Sequence, residues 1–269
     1  IEKLKTKMSK KQKGRINKEI KKLLENNKFL ENDIESLEKP SIFKKRIEDK
    51  KQEIVNINNY VQYTIKTHLC ILEENGFISC DNDEYKLTDK GLMASQIHEV
   101  HSMALTDVIS SGKFNDLSVE EIISVLSVFT SIRLSEDDSY LDVEHCNVSR
   151  NIKDVVKSIK NELDKYYDLE LKYQTAFTQD YTIHYNMCEF MVEWCYADTE
   201  EQCRIIYSEA KRYNIYLGEF IKAILKINNL CDEMEKACQV QENVELLHKL
   251  SFVKEKTLKS IATNQSLYL

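Results

Sequence analysis

The sequence predicts a mainly α-helical protein. Its 269 residues include only five glycines and one proline, whereas all-β folds need many turn-forming residues. Long stretches carry apolar residues at helical spacing, with few breaks between them. The hydrophobic share of 42% and the charged share of 31% are typical of a folded globular chain rather than a disordered one.

The first predicted element is a charged helix from Met8 to Leu37, whose apolar stripe is narrow. Pro40 is expected to end this helix, because proline removes a backbone donor and clashes with the preceding turn. Ser41 is then expected to begin a second helix that runs through Lys51 towards Tyr63.

The start of this arm is strongly basic. Residues 1–22 hold ten Lys or Arg against two Glu, although the whole chain carries a net charge of -7. A segment of this density can contact phosphate, but a solvated helix face or stalk is the interpretation that we favour. We assign residues 1–51 to a helical stalk-like arm.

After the arm, the pattern changes from helix to a short β-hairpin. Tyr60 to Asn75 predicts an amphipathic helix, and Gly76 follows where a left-handed cap is needed. The hairpin consists of two short strands and a polar tip, in residues 77–80, 85–87 and 81–84. A helix, a hairpin and a closing Leu-Thr-Asp-Lys-Gly segment are typical of the second half of a winged-helix domain. We assign residues 52–95 to this partial winged-helix unit.

From Met93 onward the sequence predicts only helices, and we assign residues 96–269 to a helical bundle. Two capping boxes, in Ser118–Glu121 and Thr199–Gln202, mark helix starts. The least regular stretch, Leu134 to Arg150, is expected to be a loop.

Small and aromatic side chains are expected to fill the bundle core. Trp194 is the single tryptophan and a predicted core anchor. None of the eight cysteines forms a Cys-x-x-Cys motif, and pairs seven residues apart suit buried positions on helices. We therefore expect free thiols and an intracellular, reducing compartment rather than a disulfide framework.

The sequence shows no catalytic or metal-binding constellation. All five glycines are isolated, and none begins the Gly-Lys-Ser/Thr segment of a phosphate-binding loop. Ile97 to His101 contains two histidines, but zinc-protease helices place two residues, not one, between the glutamate and the second histidine. No Ser/His/Asp or Cys/His grouping is recognisable. We predict no catalytic residue, no metal ligand, no cofactor and no membrane-spanning segment in this chain.

The segment from Leu217 to Cys238 predicts a helix with two contrasting faces at 100° per residue. One stripe is apolar and comprises Phe220, Ile224, Ile227, Cys231, Met234 and Cys238. The opposite face is polar and comprises Lys222, Lys226, Asn229 and Glu233. This polar face suits a nucleic-acid strand, since ammonium groups bind phosphate and an amide can reach a base edge or ribose. An ordinary amphipathic helix with a solvated polar face fits the same pattern.

Several short segments of the chain form a set with fixed spacing along the sequence. They are Leu87–Gly91 with Ala94, Met103–Ile109, Gly112–Phe114, Leu117-Ser118, the set Gly218, Ile221, Lys222, Lys226 and Leu230, and the terminal Ser266–Leu269. Together they resemble the C-terminal region of the DExH-box ATP-dependent RNA helicases of the Ski/Mtr branch. Two lysines, Lys222 and Lys226, stand where that family has arginines, and Asn229 stands at its acidic position, so bidentate and stacking contacts differ.

This resemblance implies that the helix from Leu217 is the family's ratchet helix, which contacts single-stranded RNA leaving the helicase core. Lys222, Lys226 and Asn229 are then the candidate RNA-binding residues. The resemblance also implies a partner core of two RecA-like domains, which binds ATP and Mg²⁺ and drives 3′-to-5′ unwinding. Exosome-like factors are implied partners, and residues 1–51 are compatible with the returning arm of the family's helical stalk.

Two other functions fit parts of the sequence. A stand-alone winged-helix regulator of duplex DNA would use Lys66, His68 and the hairpin tip, but Asp81, Asp83 and Glu84 make that tip acidic, which disfavours phosphate. A helical scaffold would instead recruit protein partners through the Met8–Leu37 arm.

Overall fold

The computed structural model describes residues 14, 16–22, 29–82, 84–132, 142–175 and 180–263, with the backbone alone for residues 30–39, 41 and 263. The chain divides into two compact units, Ile1–Ile65 and Lys66–Leu269. The predicted division into residues 1–51, 52–95 and 96–269 stays a prediction.

The longest element is helix α1, Leu30–Glu74, which contains Pro40 in its interior. The expectation that Pro40 ends a helix is therefore wrong. The ring of proline fixes φ near a helical value, so a proline inside a helix loses one backbone hydrogen bond and clashes locally but keeps a helical φ. Good helix formers on both sides then continue the helix past it. Of the predicted Met8–Leu37 helix, residues 16–22 are helical and residues 30–37 form the start of α1, while residues 8–13, 15 and 23–28 lie outside the described residues.

The predicted hairpin follows α1 and is confirmed. Gly76 has a φ of +76°, the left-handed conformation that turns the chain out of the helix. Strands β1, Ile78–Asp81, and β2, Glu84–Leu87, pair antiparallel, with Ile78 opposite Leu87. Thr88 caps the next helix, α2, Asp89–Ala94, by accepting a hydrogen bond from the Gly91 amide at 3.1 Å.

The remaining elements of the described residues are helices joined by loops and turns, and the predicted mainly α fold with a short hairpin is confirmed. The helices are α3, Ser102–Ser110; α4, Val119–Leu126; α5, Arg150–Tyr173; α6, Cys188–Tyr196; α7, Glu200–Arg212; α8, Leu217–Val240; α9, Val244–Leu250; and α10, Val253–Thr257. Both predicted capping boxes are present, at the starts of α4 and α7. Of the predicted Leu134–Arg150 loop, residues 134–141 lie outside the described residues, Val143–His145 form a short 3-10 turn and Arg150 begins α5.

Trp194 lies at the centre of the bundle and is fully buried, as predicted. Its indole Nε1 donates a hydrogen bond to the Thr257 carbonyl oxygen at 2.9 Å, and its ring packs edge-on against Phe220 with the centroids 5.1 Å apart. All eight cysteines are free thiols, and six are buried, whereas Cys70 is half-buried and Cys80 is exposed. Within the described part of the chain, no helix combines the length and apolar character that a membrane span requires.

A largely buried carboxylate, Asp107 on α3, whose side chain is 11% exposed, joins the hairpin region to the bundle. It pairs with Lys90 of α2, accepts a hydrogen bond from Lys165 Nζ at 3.0 Å and accepts another from the Tyr166 hydroxyl at 2.6 Å. Burial opposes ionisation of Asp107, but these three donors outweigh it and hold the pKa of its carboxyl below the ordinary value. Lys90 also donates to the carbonyl oxygen of Asn75 at 2.8 Å, so one charged cluster ties the end of α1 to α2, α3 and α5.

Candidate nucleic-acid interface

The candidate interface is built on α8, and a side chain in the first turn of this helix caps its start. Glu219 in the first turn accepts a hydrogen bond from the Tyr216 amide at 3.2 Å, which satisfies a donor that has no partner within the helix. All six residues of the predicted apolar stripe, Phe220 through Cys238, are fully buried. The stripe packs against the bundle core, where Phe220 contacts Trp194 and Tyr207, and therefore orients the opposite face outward.

The buried face of α8 is wider than the sequence predicts, because it includes Asn228. The Asn228 amide nitrogen donates to the Ile224 carbonyl oxygen at 2.8 Å and lies 2.9 Å from the Thr257 hydroxyl. That hydroxyl donates to the Val253 carbonyl oxygen at 2.8 Å. Asn228 is four residues after Ile224 and so falls on the buried side of the helix, a signal that could have identified it as a buried polar link between α8 and α10.

Lys222 lies on the outward face and is exposed. It makes no hydrogen bond or ion pair with the residues that the structure describes. Its ammonium group is therefore available to an anion in solvent, as the predicted phosphate contact requires.

Lys226 and Asn229 lie one and two turns further along α8 and face the loop between α2 and α3. Lys226 Nζ donates to the Glu99 carbonyl oxygen at 3.2 Å and lies 3.7 Å from the Glu99 carboxylate. The amide of Asn229 forms a long hydrogen bond of 3.5 Å to the other carboxylate oxygen of Glu99. The structure thus brings two of the three predicted residues together at Glu99 and leaves Lys222 apart.

The fourth residue of this face, Glu233, fixes the loop itself. One of its carboxylate oxygens accepts hydrogen bonds from the backbone amides of His98 and Glu99, both at 3.0 Å. The sequence pattern assigns Glu233 only to the polar face, because its two backbone partners lie 135 and 134 residues away along the chain. The polar face of α8 is therefore partly an internal docking face and only in part a solvent-exposed one.

The Ile97–His101 segment is a loop, not a helix, so its histidines do not share a helix face. His98 is exposed, whereas His101 is buried and caps α3 by accepting a hydrogen bond from the Ala104 amide at 3.2 Å. Burial lowers the pKa of His101 to about 4. The part of the chain that the structure describes contains no group of three or more side chains placed to hold a metal ion.

A cavity of about 580 Å³ opens beside the same loop. Glu99 lines it together with His98, Phe129, Asp180 and Thr182. Glu99 therefore contacts the outward face of α8 and also lines this cavity. Chemically, this region presents an exposed ammonium, a second ammonium beside a carboxylate, and an amide, a set that binds anions and hydrogen-bonding groups.

The residues named for a DNA-binding winged helix are placed differently. On α1, Lys66 is exposed and His68 is half-buried. Lys86 on β2, which the alternative did not name, is also exposed. The hairpin tip between the strands carries Asp81 and Glu84, both exposed, and the remaining tip residue, Asp83, lies outside the described residues. The described part of the tip is therefore acidic, which disfavours contact with phosphate.

Comparison with known proteins gives consistent matches. Residues 84–263 match the DSHCT (NUC185) domain. The chain is 24% identical over 228 residues to a Schizosaccharomyces pombe protein named "Uncharacterized helicase C17H9.02", a match that covers 83% of this chain and 21% of that protein. It is 23% identical over 212 residues to "DExH-box ATP-dependent RNA helicase DExH9" of Arabidopsis thaliana, which covers 76% of this chain and 19% of that protein.

A human protein, "Exosome RNA helicase MTR4", is 24% identical over 224 residues, which covers 83% of this chain and 20% of that protein. The chain thus spans about a fifth of the length of the curated relatives that it matches. The domain match extends over most of the chain, and it includes the hairpin strand β2, the loop of Glu99 and the whole of α8. The chain belongs to the DSHCT (NUC185) domain family, and the relatives that it matches are DExH-box RNA helicases of the Mtr4/Ski2-like kind.

Proposed function

We propose that this chain is the C-terminal, RNA-contacting module of an ATP-dependent RNA helicase that acts in RNA processing or decay. The observation that carries the proposal is the outward face of α8, where Lys222 is exposed and Lys226 and Asn229 follow at one-turn intervals. Ammonium groups at this spacing can follow the phosphates of a single strand, and the amide can contact a base or ribose. The family match supports the assignment to a helicase.

In this proposal the chain does not work alone. A helicase core with two RecA-like domains binds ATP and Mg²⁺ and moves 3′ to 5′ along RNA, while α8 grips the strand between steps. The relatives named as RNA helicases support this arrangement, and the human relative's name supports association with exosome-like factors. Eight free thiols fit an intracellular, reducing compartment.

The proposal can be tested by fluorescence anisotropy at low salt with a single-stranded oligo-A RNA and with a DNA duplex. The Lys222→Ala/Lys226→Ala variant is expected to bind RNA about tenfold more weakly, and the salt dependence of its affinity is expected to become shallower by about 1.4 log units per log unit of salt, since each phosphate contact with a single strand contributes about 0.7. Circular dichroism establishes that each variant is folded.

A matched control removes two positive charges elsewhere. Lys66→Ala/Lys86→Ala changes the net charge equally but alters the surface that a DNA-binding winged helix would use. RNA binding that the α8 variant loses and the control keeps would support the proposal. Equal RNA binding by the two variants, or no RNA binding by the unaltered chain, would contradict it. Duplex DNA binding that only the control loses would favour the winged-helix regulator.

A further inference from the structure

Glu99 occupies the position at which the outward face of α8 would meet an RNA strand. Its two carboxylate oxygens lie 3.7 Å from Lys226 Nζ and 3.5 Å from the Asn229 amide nitrogen. Two of the three candidate RNA-binding side chains therefore already have an anionic partner within the chain. Lys222, without such a partner among the described residues, is the exposed cation of the set.

The backbone around Glu99 is held independently of its side chain. Glu233 accepts hydrogen bonds from the amides of His98 and Glu99, and Lys226 also donates to the Glu99 carbonyl oxygen at 3.2 Å. These contacts involve the main chain of the loop. A substitution at Glu99 therefore removes the carboxylate and leaves the bonds that position the loop in place.

The carboxylate also has space to move. The Glu99 side chain is 34% exposed, and Glu99 lines the cavity of about 580 Å³ beside the loop, so there is open space next to the carboxylate. A phosphate cannot approach Lys226 closely while the carboxylate is there, because two like charges a few ångströms apart repel. Moving the carboxylate into the cavity removes that repulsion.

We propose that Glu99 sets the affinity of this interface by acting as an internal competitor of RNA: its carboxylate holds Lys226 and Asn229 in the free protein, and an RNA phosphate displaces it. This inference rests on the proposed function of α8. It assigns Glu99 a role in positioning and competition and leaves direct RNA contact to the α8 side chains.

The competitor role predicts that removing the charge of Glu99 strengthens RNA binding. Glu99→Gln keeps the size of the side chain and its hydrogen-bonding capacity. We expect it to tighten binding of the 269-residue chain to single-stranded RNA about two- to fivefold at low salt, as the loss of one partly exposed charge pair implies. The salt dependence is expected to stay the same, because Lys226 contacts a phosphate in both complexes and only the cost of displacing the carboxylate differs.

The control for net charge is Glu201→Gln on α7. Glu201 is exposed and has no hydrogen bond or ion pair with a residue that the structure describes. The second comparison is a double-mutant cycle, in which Glu99→Gln is combined with Lys226→Ala. Most of the gain in affinity is expected to disappear in the Lys226→Ala background, since the competitor then holds no cation and keeps only the long hydrogen bond to Asn229.

The outcomes separate this inference from the proposed function. Tighter binding by Glu99→Gln alone, with most of the gain lost in the Lys226→Ala background, supports the competitor role. A change no larger than that of Glu201→Gln, weaker binding, or an equal gain in the Lys226→Ala background overturns it while α8 is still the RNA contact. If instead Lys222→Ala/Lys226→Ala leaves RNA binding unchanged, the proposed function itself is wrong.

Discussion

Two glycines of the segments that carry the family resemblance, Gly91 in α2 and Gly218 in α8, differ in the space available for the methyl group of an alanine. A Cβ at Gly91 would lie well inside van der Waals distance of the Phe77 carbonyl oxygen, and it would lie 3.0 Å from Leu87 Cδ2. The same Phe77 oxygen accepts hydrogen bonds from the Thr88 amide and hydroxyl, both at 3.1 Å. A Cβ at Gly218 would meet nothing within 4 Å.

The free energy of unfolding is expected to change with opposite signs at these two positions. Replacing glycine by alanine inside a helix stabilises it by about 1 kcal/mol through propensity. At Gly91 this gain is offset by overpacking of about 1–3 kcal/mol and by weakened hydrogen bonds to Phe77 of about 1 kcal/mol. Gly91→Ala is therefore expected to destabilise the protein by about 1–3 kcal/mol, and Gly218→Ala to stabilise it by up to about 1 kcal/mol.

Urea unfolding followed by fluorescence measures both changes, since Trp194 is the single tryptophan and is fully buried. The corresponding shift in the thermal midpoint is about 2–4 °C per kcal/mol for a unit of this size. A Gly91→Ala variant as stable as the unaltered chain, or stabilised like Gly218→Ala, would refute the argument from close approach. It would mean that α2 can move away from the hairpin at no measurable cost.

Three further predictions concern buried polar groups. Trp194→Phe keeps an aromatic ring but leaves the Thr257 carbonyl oxygen without its donor, so a loss of about 1–3 kcal/mol is expected. This variant has no tryptophan, so its urea unfolding is followed by circular dichroism, and an unchanged midpoint would contradict the prediction. Because burial lowers the pKa of His101 to about 4, the unfolded chain binds a proton first as the pH falls below about 6.5. The contribution of His101 to the free energy of unfolding is thus complete above pH 6.5 and is lost between about pH 6.5 and 4. His101→Asn, which keeps a side chain able to cap α3, should flatten that part of the plot of stability against pH. Asp107→Asn removes the charge that its lysine and tyrosine partners share, and we expect a loss of about 1–3 kcal/mol that high salt does not restore.

Local patterns predicted the parts of the fold that local interactions determine. The stripe from Phe220 to Cys238 follows from a period of 3.6 residues, and the hairpin follows from Gly76 and the alternation after it. Capping boxes are also local, since both partners lie within four residues. The Pro40 prediction is wrong because a proline costs about 3 kcal/mol at a single turn, and the residues on both sides of that turn continue the helix.

The candidate site was predictable only in part, for a physical reason. Helical periodicity placed Lys222, Lys226 and Asn229 on one face, but the Glu99 side chain that pairs with Lys226 and Asn229 comes from a distant part of the chain. Glu99 and Glu233 had no local signal, since one lies in a loop and the other on a predicted polar face. Which of several polar residues on a helix faces solvent is decided by packing, and one sequence without tertiary information does not contain that choice.

The hydrogen bonds between Glu233 and the His98–Glu99 amides also bear on how the protein folds. They join positions 135 and 134 residues apart, so most of the second unit must be synthesised before they can form. Contacts of such high sequence separation carry a large entropy of loop closure and form slowly. The outward face of α8 is therefore completed only in the finished fold, and an isolated peptide with the α8 sequence would carry the lysines without the carboxylate that restrains one of them.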